Sequence, residues 1–194
     1  MKIISYNSAV AQLCGKSGII KAVLLNYIYN YHKPNCRKGA GSPACITLAE
    51  FIYQYTYAET PLWGRSFIHR ILKDLQKDGH INIGREGNLA VYSVSDQIAG
   101  LLSSGSAEVV SFDLQLACEF GIYTAIVSRF LLYVIGKSDG GVAYNLDVKQ
   151  MSAVNRISPA QIYRAINHLI KTGVMKRVQS PIKRKSRALN LALC

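Results

Sequence analysis

"IYRAINHLIKTGVM", residues 162–175, decides how this chain is read. Ile162, Ala165, Ile166 and Leu169 fall at i, i+3, i+4 and i+7, the apolar stripe of an amphipathic helix. Gly173 stands where a helix ends on a left-handed residue, and beyond it the apolar period changes to two. The same pattern occurs 94 residues earlier as "IHRILKDLQKDGHI", residues 68–81. There the stripe is Ile68, Ile71, Leu72 and Leu75, the stop is Gly79, and Arg70 and Lys77 match Arg164 and Lys171. One short chain carries the unit twice.

The repetition extends outward. "GIIKAVLLNYIYNY" from Gly18 is answered by "GIYTAIVSRFLLYVI" from Gly121, which predicts long buried helices over 18–31 and 121–135. A variable loop follows in each copy, then a short helix. Thr47 and Glu50 of "TLAE" form a capping box for the first of these, and Asp147 to Gln150 play that part in the second. "SPAQ" starts the helix of the opening stretch, with Ser158 as N-cap, Pro159 at the first helical position and Gln161 closing the box. After each stop glycine comes a hairpin: "HINIGREGNLAVYSV" turns at 84–88, and "VMKRVQSPIKRKSRALNLAL" has a longer basic turn. In the first copy "TYAETPLWG" adds about six residues before the third helix, which then begins at Thr60-Pro61 or at Gly64. The expected fold is mainly α with small β-hairpins, an α+β chain. Its domains are 1–98 and 109–194, joined by a linker at 99–108 within the Ser- and Gly-rich stretch 95–108.

The pattern I-x-R-x-[LI]-x-x-L-x-K-x-G followed by a β-hairpin resembles the recognition helix and wing of winged helix-turn-helix DNA-binding proteins, twice, over nearly the whole chain. The "GI-x-x-A" opening of the long helix and the tandem layout are similar to plasmid and phage replication initiators and regulators. The resemblance implies two tandem winged-helix domains with double-stranded DNA as partner. It also implies a role at origin repeats, dimerisation through one domain, and contacts with host replication proteins.

Charge agrees with such a partner: 23 Lys+Arg against 11 Asp+Glu give +12, shared as +5 up to residue 102 and +7 after it. A surplus of that size calls for a polyanion. Recognition helices read the major groove with their solvent-facing N-terminal residues. In the first copy these are Arg65, Ser66, His69, Arg70 and Lys73; in the second, Ser158, Gln161, Tyr163, Arg164, Asn167 and His168. Arg70 and Arg164 have an alternative, packing sideways on their own domain. The first wing offers Arg85; the second offers Lys176, Arg177, Lys183, Arg184, Lys185 and Arg187 with no acid among them, a phosphate-contacting pattern. The tyrosines of "NYIYNY" and "FIYQYTY" suit a core or a dimer interface better than stacking on bases. Leu62 and Trp63 would be costly to leave in water, which points to a homodimer formed through the first domain.

Other classes fit poorly. No apolar run reaches about 18 residues without a charge, so no membrane span is expected, and the first residues do not read as a signal peptide. Five cysteines without CxxC spacing suggest reduced thiols in the cytoplasm. His32, Cys36 and Cys45 are too few and wrongly spaced for zinc, so no metal or cofactor is expected. The "GKS" triplets at 15–17 and 136–138 lack the earlier glycine of a phosphate loop, which would replace Val10 and Leu131. There is no His-x-His pair and no hydrolase signature, so the chain is not expected to be an enzyme. A transcriptional repressor needs the same chemistry as an initiator. The tandem winged-helix scaffolds of chromosome-organising complexes are typically acidic, and +12 argues against that class.

Overall fold

The computed structural model describes residues 2–31, 44–104, 108–138, 142–178 and 189–194. They fall into two units, Ile3–Val110 and Met1–Lys2 with Ser111–Cys194. The division therefore lies at 110/111, later than the linker expected at 99–108.

The first unit opens with β1 (Ile3–Asn7), α1 (Ser8–Leu13) and the long helix α2 (Gly18–Asn30). Then come β2 (Ala44–Cys45), α3 (Leu48–Gln54), a miniature hairpin of β3 (Thr56–Tyr57) and β4 (Thr60–Pro61), and α4 (Arg65–Lys77). A hairpin of β5 (Ile81–Glu86) and β6 (Leu89–Val94) follows, and then α5 (Asp96–Ser103). Apart from the β3–β4 hairpin and α5, the described elements of the second part of the chain repeat this order: β7 (Val109–Asp113), α6 (Leu114–Phe120), α7 (Ile122–Gly136), β8 (Val142–Leu146), α8 (Val148–Asn155), α9 (Pro159–Lys171), β9 (Met175–Arg177) and β10 (Leu189–Leu193). The chain is α+β with small antiparallel sheets. Each unit has a three-stranded sheet of the same order, β2-β6-β5 and β8-β10-β9.

Local chemistry explains the boundaries. Glu50 N donates to Thr47 Oγ1 (3.2 Å) and Thr47 N to Glu50 Oε2 (2.6 Å), the reciprocal box that starts α3. Asp147 Oδ1 accepts from Lys149 N and Gln150 N at the start of α8. Both stripes are buried, Ile68, Ile71, Leu72 and Leu75 on α4 and Ile162, Ala165, Ile166 and Leu169 on α9. Both helices stop alike. Gly79 (φ 72°) and Gly173 (φ 74°) are left-handed, and the next amide donates back to the helix, His80 N to Leu75 O (2.9 Å) and Val174 N to Leu169 O (3.0 Å).

Several boundaries differ from the sequence expectation. Each copy begins earlier than its long helix, with a strand that hands over to a capped short helix. "IISYN" and "VVSFD" align with Tyr6 on Phe112, both fully buried, and Asn7 on Asp113. Asn7 Oδ1 accepts from Ala9 N and Val10 N, and Asp113 Oδ1 from Leu116 N. The expected linker contains much of α5, which buries Ile98 and packs on α1 and α2, while Asn7 Nδ2 donates to Leu101 O (3.1 Å). Ile98 itself falls in the expected first domain; within 99–108 it is Leu101 that the Asn7 bond ties to the first unit. The first wing stays strand through Glu86 and pairs it with Leu89, so the turn is shorter than 84–88.

The insertion "TYAETPLWG" forms the β3–β4 hairpin, and α4 starts after Gly64 rather than at Thr60-Pro61. Its loop residues Ala58 (φ 44°) and Glu59 (φ 67°) both have positive φ, which a two-residue hairpin loop of type I′ demands. Trp63 is only 8% exposed, ringed by Tyr55 (5.1 Å between centroids) and Phe67 (6.5 Å). The first-unit tyrosines are largely core. Tyr27 meets Phe51 and Tyr55 edge-on, Tyr55 donates its hydroxyl to Val23 O, and burial pushes the Tyr27 phenol up to about 12.

Candidate nucleic-acid interface

The exposed side of α9 is decided by where its stripe points. With Ile162, Ala165, Ile166 and Leu169 buried, Tyr163, Arg164, Asn167, His168 and Lys171 are left at the surface, Tyr163 half exposed. No acid occurs between Pro159 and Arg177. β9 continues this surface with Lys176 and Arg177, and Arg177 Nη2 donates to Asn167 Oδ1 (3.1 Å). That bond ties the strand to the helix and leaves the Asn167 amide N–H groups as its free donors.

Two expected base readers are otherwise engaged. Ser158 Oγ accepts from Gln161 N (3.3 Å), and Gln161 Oε1 accepts from both Ser158 N (3.1 Å) and Ser158 Oγ (2.9 Å). Gln161 therefore keeps its N–H donors but not the free amide oxygen that a two-bond contact with adenine uses. The same box that starts the helix takes that oxygen.

In the first unit Arg65, Ser66, His69, Arg70 and Lys73 all lie exposed on α4, and Arg85 is exposed on β5 beside Glu86. Arg70 leans over the Phe67 ring, 5.1 Å from its centroid. It also lines a hollow of about 500 Å³ between α4 and the turn into α2, with Lys16, Lys21, Asp74, Lys77 and Asp78. Burial pushes the Cys14 thiol in this wall up to about 11, so it stays neutral. Arg164 does the same in the second unit, lining a hollow of about 310 Å³ with Phe120, Tyr123, Thr124, Gln161 and His168. His168 lies against Phe120, 5.4 Å between ring centroids. Both arginines therefore turn toward the flank of their helix, the sideways alternative, while remaining exposed.

Lys21 and Asp78 make an ion pair, 2.6 Å between Nζ and Oδ2. Among the described residues, no carboxylate lies at salt-bridge distance from the cations of α4, α9 and β9. Lys183, Arg184, Lys185 and Arg187 lie outside the described residues.

Comparison with protein-family models, with curated proteins and with solved structures finds no match to this chain.

The sequence reading passed over two sets of cations. Arg156, between α8 and α9, is exposed and left-handed at φ 54°. No sequence signal marks it, because glycine or asparagine is the usual residue there. Lys77 and Lys171 do carry a signal: they are in register in the two copies, and both are exposed in the last turn of their helices. Among the described residues there is no cluster of three or more His, Cys, Asp or Glu able to hold a metal ion, and no helix long and apolar enough to cross a membrane.

Proposed function

We propose that this chain is a non-catalytic duplex-DNA-binding protein of two winged-helix units, of the plasmid or phage replication-initiator type. The observation that carries the reading is the acid-free exposed face of α9, continued by Lys176 and Arg177 on β9 and joined to them through the Arg177–Asn167 bond. The helix enters the major groove, Tyr163 and Asn167 face base edges, and Lys176 and Arg177 of β9 meet the phosphates. What supports two such units is the repeated order of helix, strand, helix, helix and hairpin with the same sheet order in each. What supports duplex DNA as the polyanion is the +12 charge together with cations of α4, α9 and β9 that have no acid partner among the described residues.

Self-association through the first unit belongs to the same proposal, on a changed basis. Trp63 is covered within its own unit and offers no surface for it; among the described residues there, Tyr53, 81% exposed, is the most exposed large apolar side chain.

Duplex titration by fluorescence anisotropy tests the reading. If about 6–8 phosphates are neutralised, affinity falls by roughly three to four decades between 50 and 200 mM salt. Affinity that is flat with salt overturns it and favours a protein-interaction scaffold. Footprinting then separates the roles: direct repeats at an origin support initiation, and an inverted repeat over a promoter supports repression.

A further inference from the structure

The hollow beside α4 is lined by residues of α4 and of the turn into α2. At about 500 Å³ it falls within the range of small-molecule sites, about 300–1,000 Å³. Its charges are uneven. Lys21 and Asp78 neutralise each other at 2.6 Å, which leaves Lys16, Arg70 and Lys77 around the hollow against the single acid Asp74. None of the three cations has a carboxylate at ion-pair distance among the described residues. Like charges gathered around a concavity repel one another and raise the local concentration of anions. A neutral ligand would leave that repulsion in place; an anion relieves it.

The second copy supports the placement. Arg164 matches Arg70 in register, and it too turns into a hollow at the same point of its unit, between the helix flank and the start of the long helix. There Arg164 is the single Lys or Arg among the lining residues, whereas the hollow of the first unit gathers Lys16, Lys21, Arg70 and Lys77.

We infer that the hollow of the first unit is a phosphate-binding site, in which Arg70 forks onto two phosphate oxygens and Lys16 and Lys77 add point charges. The phosphate comes either from a nucleic-acid backbone lying along α4 or from a free phosphate ester such as a mononucleotide. In the first case the inference rests on the duplex-binding reading and deepens it; in the second it is independent of that reading.

The test uses the full chain, with Lys16→Ala/Lys77→Ala and the charge-keeping Lys16→Arg/Lys77→Arg as a control for folding. Inorganic phosphate, compared with sodium chloride of equal ionic strength, should raise the melting temperature of the wild type and the arginine variant but not of the alanine variant. Duplex affinity is then measured against salt. An alanine variant that binds about tenfold more weakly, with a salt slope smaller by about 1, assigns the site to a backbone phosphate. A thermal shift with dTMP that the alanine variant loses, with duplex binding unchanged, assigns it to a free phosphate ester. Equal phosphate shifts and equal salt slopes in wild type and alanine variant overturn the inference while leaving duplex binding intact. A wild type that ignores duplex DNA but keeps a Lys16- and Lys77-dependent phosphate shift overturns the duplex reading instead.

Discussion

Lys21 Nζ lies 2.6 Å from Asp78 Oδ2, joining α2 to the residue that ends α4 across 57 positions of chain. Lys21 is the buried half of the pair, its side chain 7% exposed, and Asp78 the more open half at 42%. In register, the second copy has Thr124 and Thr172 at these places, with Thr124 buried and Thr172 Oγ1 donating to His168 O (3.0 Å). Removing one partner of a buried charge costs more than replacing both. Asp78→Ala should therefore lower stability, and Lys21→Thr/Asp78→Thr should recover most of the loss, as read by urea unfolding at neutral pH. A double variant no better than the single one would show that the charge of Lys21 was not the cause.

The pair also sets an acid limb. The hydrogen bond and charge of Lys21 hold the Asp78 carboxyl below its ordinary value of 3.8. A carboxyl whose folded pKa is lowered stabilises the fold above the unfolded pKa and loses that contribution as pH falls through the folded one. The stability difference between wild type and Asp78→Asn should hold from neutral pH down to about 4 and shrink below it. Denaturant melts at pH 7 and near pH 2.5 measure this, and a difference that grows on acidification would contradict the sign.

Gly18 and Gly121 match in register but are needed for different reasons. A Cβ on Gly18 would lie 1.9 Å from the Ala11 carbonyl oxygen, a backbone clash that no rotamer relieves. Gly121 has open space around it but sits at φ 85°, ψ 153°, a region that is essentially glycine-only. Gly121→Ala should cost about 1–3 kcal/mol. Gly18→Ala should cost more and alter the α1–α2 packing, visible as changed amide shifts along both helices.

Arg156 holds a left-handed conformation in the turn between α8 and α9. That conformation costs a non-glycine residue roughly 1–2 kcal/mol. Arg156→Gly should thus raise stability by about 1 kcal/mol. On the duplex-binding reading it also removes a cation beside the start of α9, so affinity for all sequences should fall even as the melting temperature rises. Unchanged affinity would place Arg156 away from the DNA.

Arg65 and Gln161 should behave differently. Arg65 is the first residue of α4 and exposed, so Arg65→Ala should cost about 1–3 kcal/mol at one base position and relax specificity there. Gln161 closes the Ser158 box, so Gln161→Ala should cost about 0.5–1 kcal/mol of stability. Its loss of DNA affinity should be small and even across sequences. Competition between mutated sites separates the two, and a base-specific loss at Gln161 would mean that the box opens on binding.

The sequence alone was enough wherever a signal is local. The stripes of α4 and α9, the Thr47 and Ser158 boxes and the stops at Gly79 and Gly173 each depend on residues within a turn or two, and a single chain displays those spacings in full. The repeat followed, because the same spacings occur twice. Tertiary structure decided what depends on a neighbour distant in sequence. Helix α5 runs into the stretch expected as linker because α1 and α2 lie beside it and Asn7 holds Leu101, and Trp63 is core because Tyr55 and Phe67 close over it. The turn into α2 sets a hollow beside Arg70, and the Lys21–Asp78 pair exists only once two helices are packed. The physical reason is the same in each case: helical period reports which face of a segment is apolar, whereas burial, charge pairing and side-chain direction are settled by whatever that face meets.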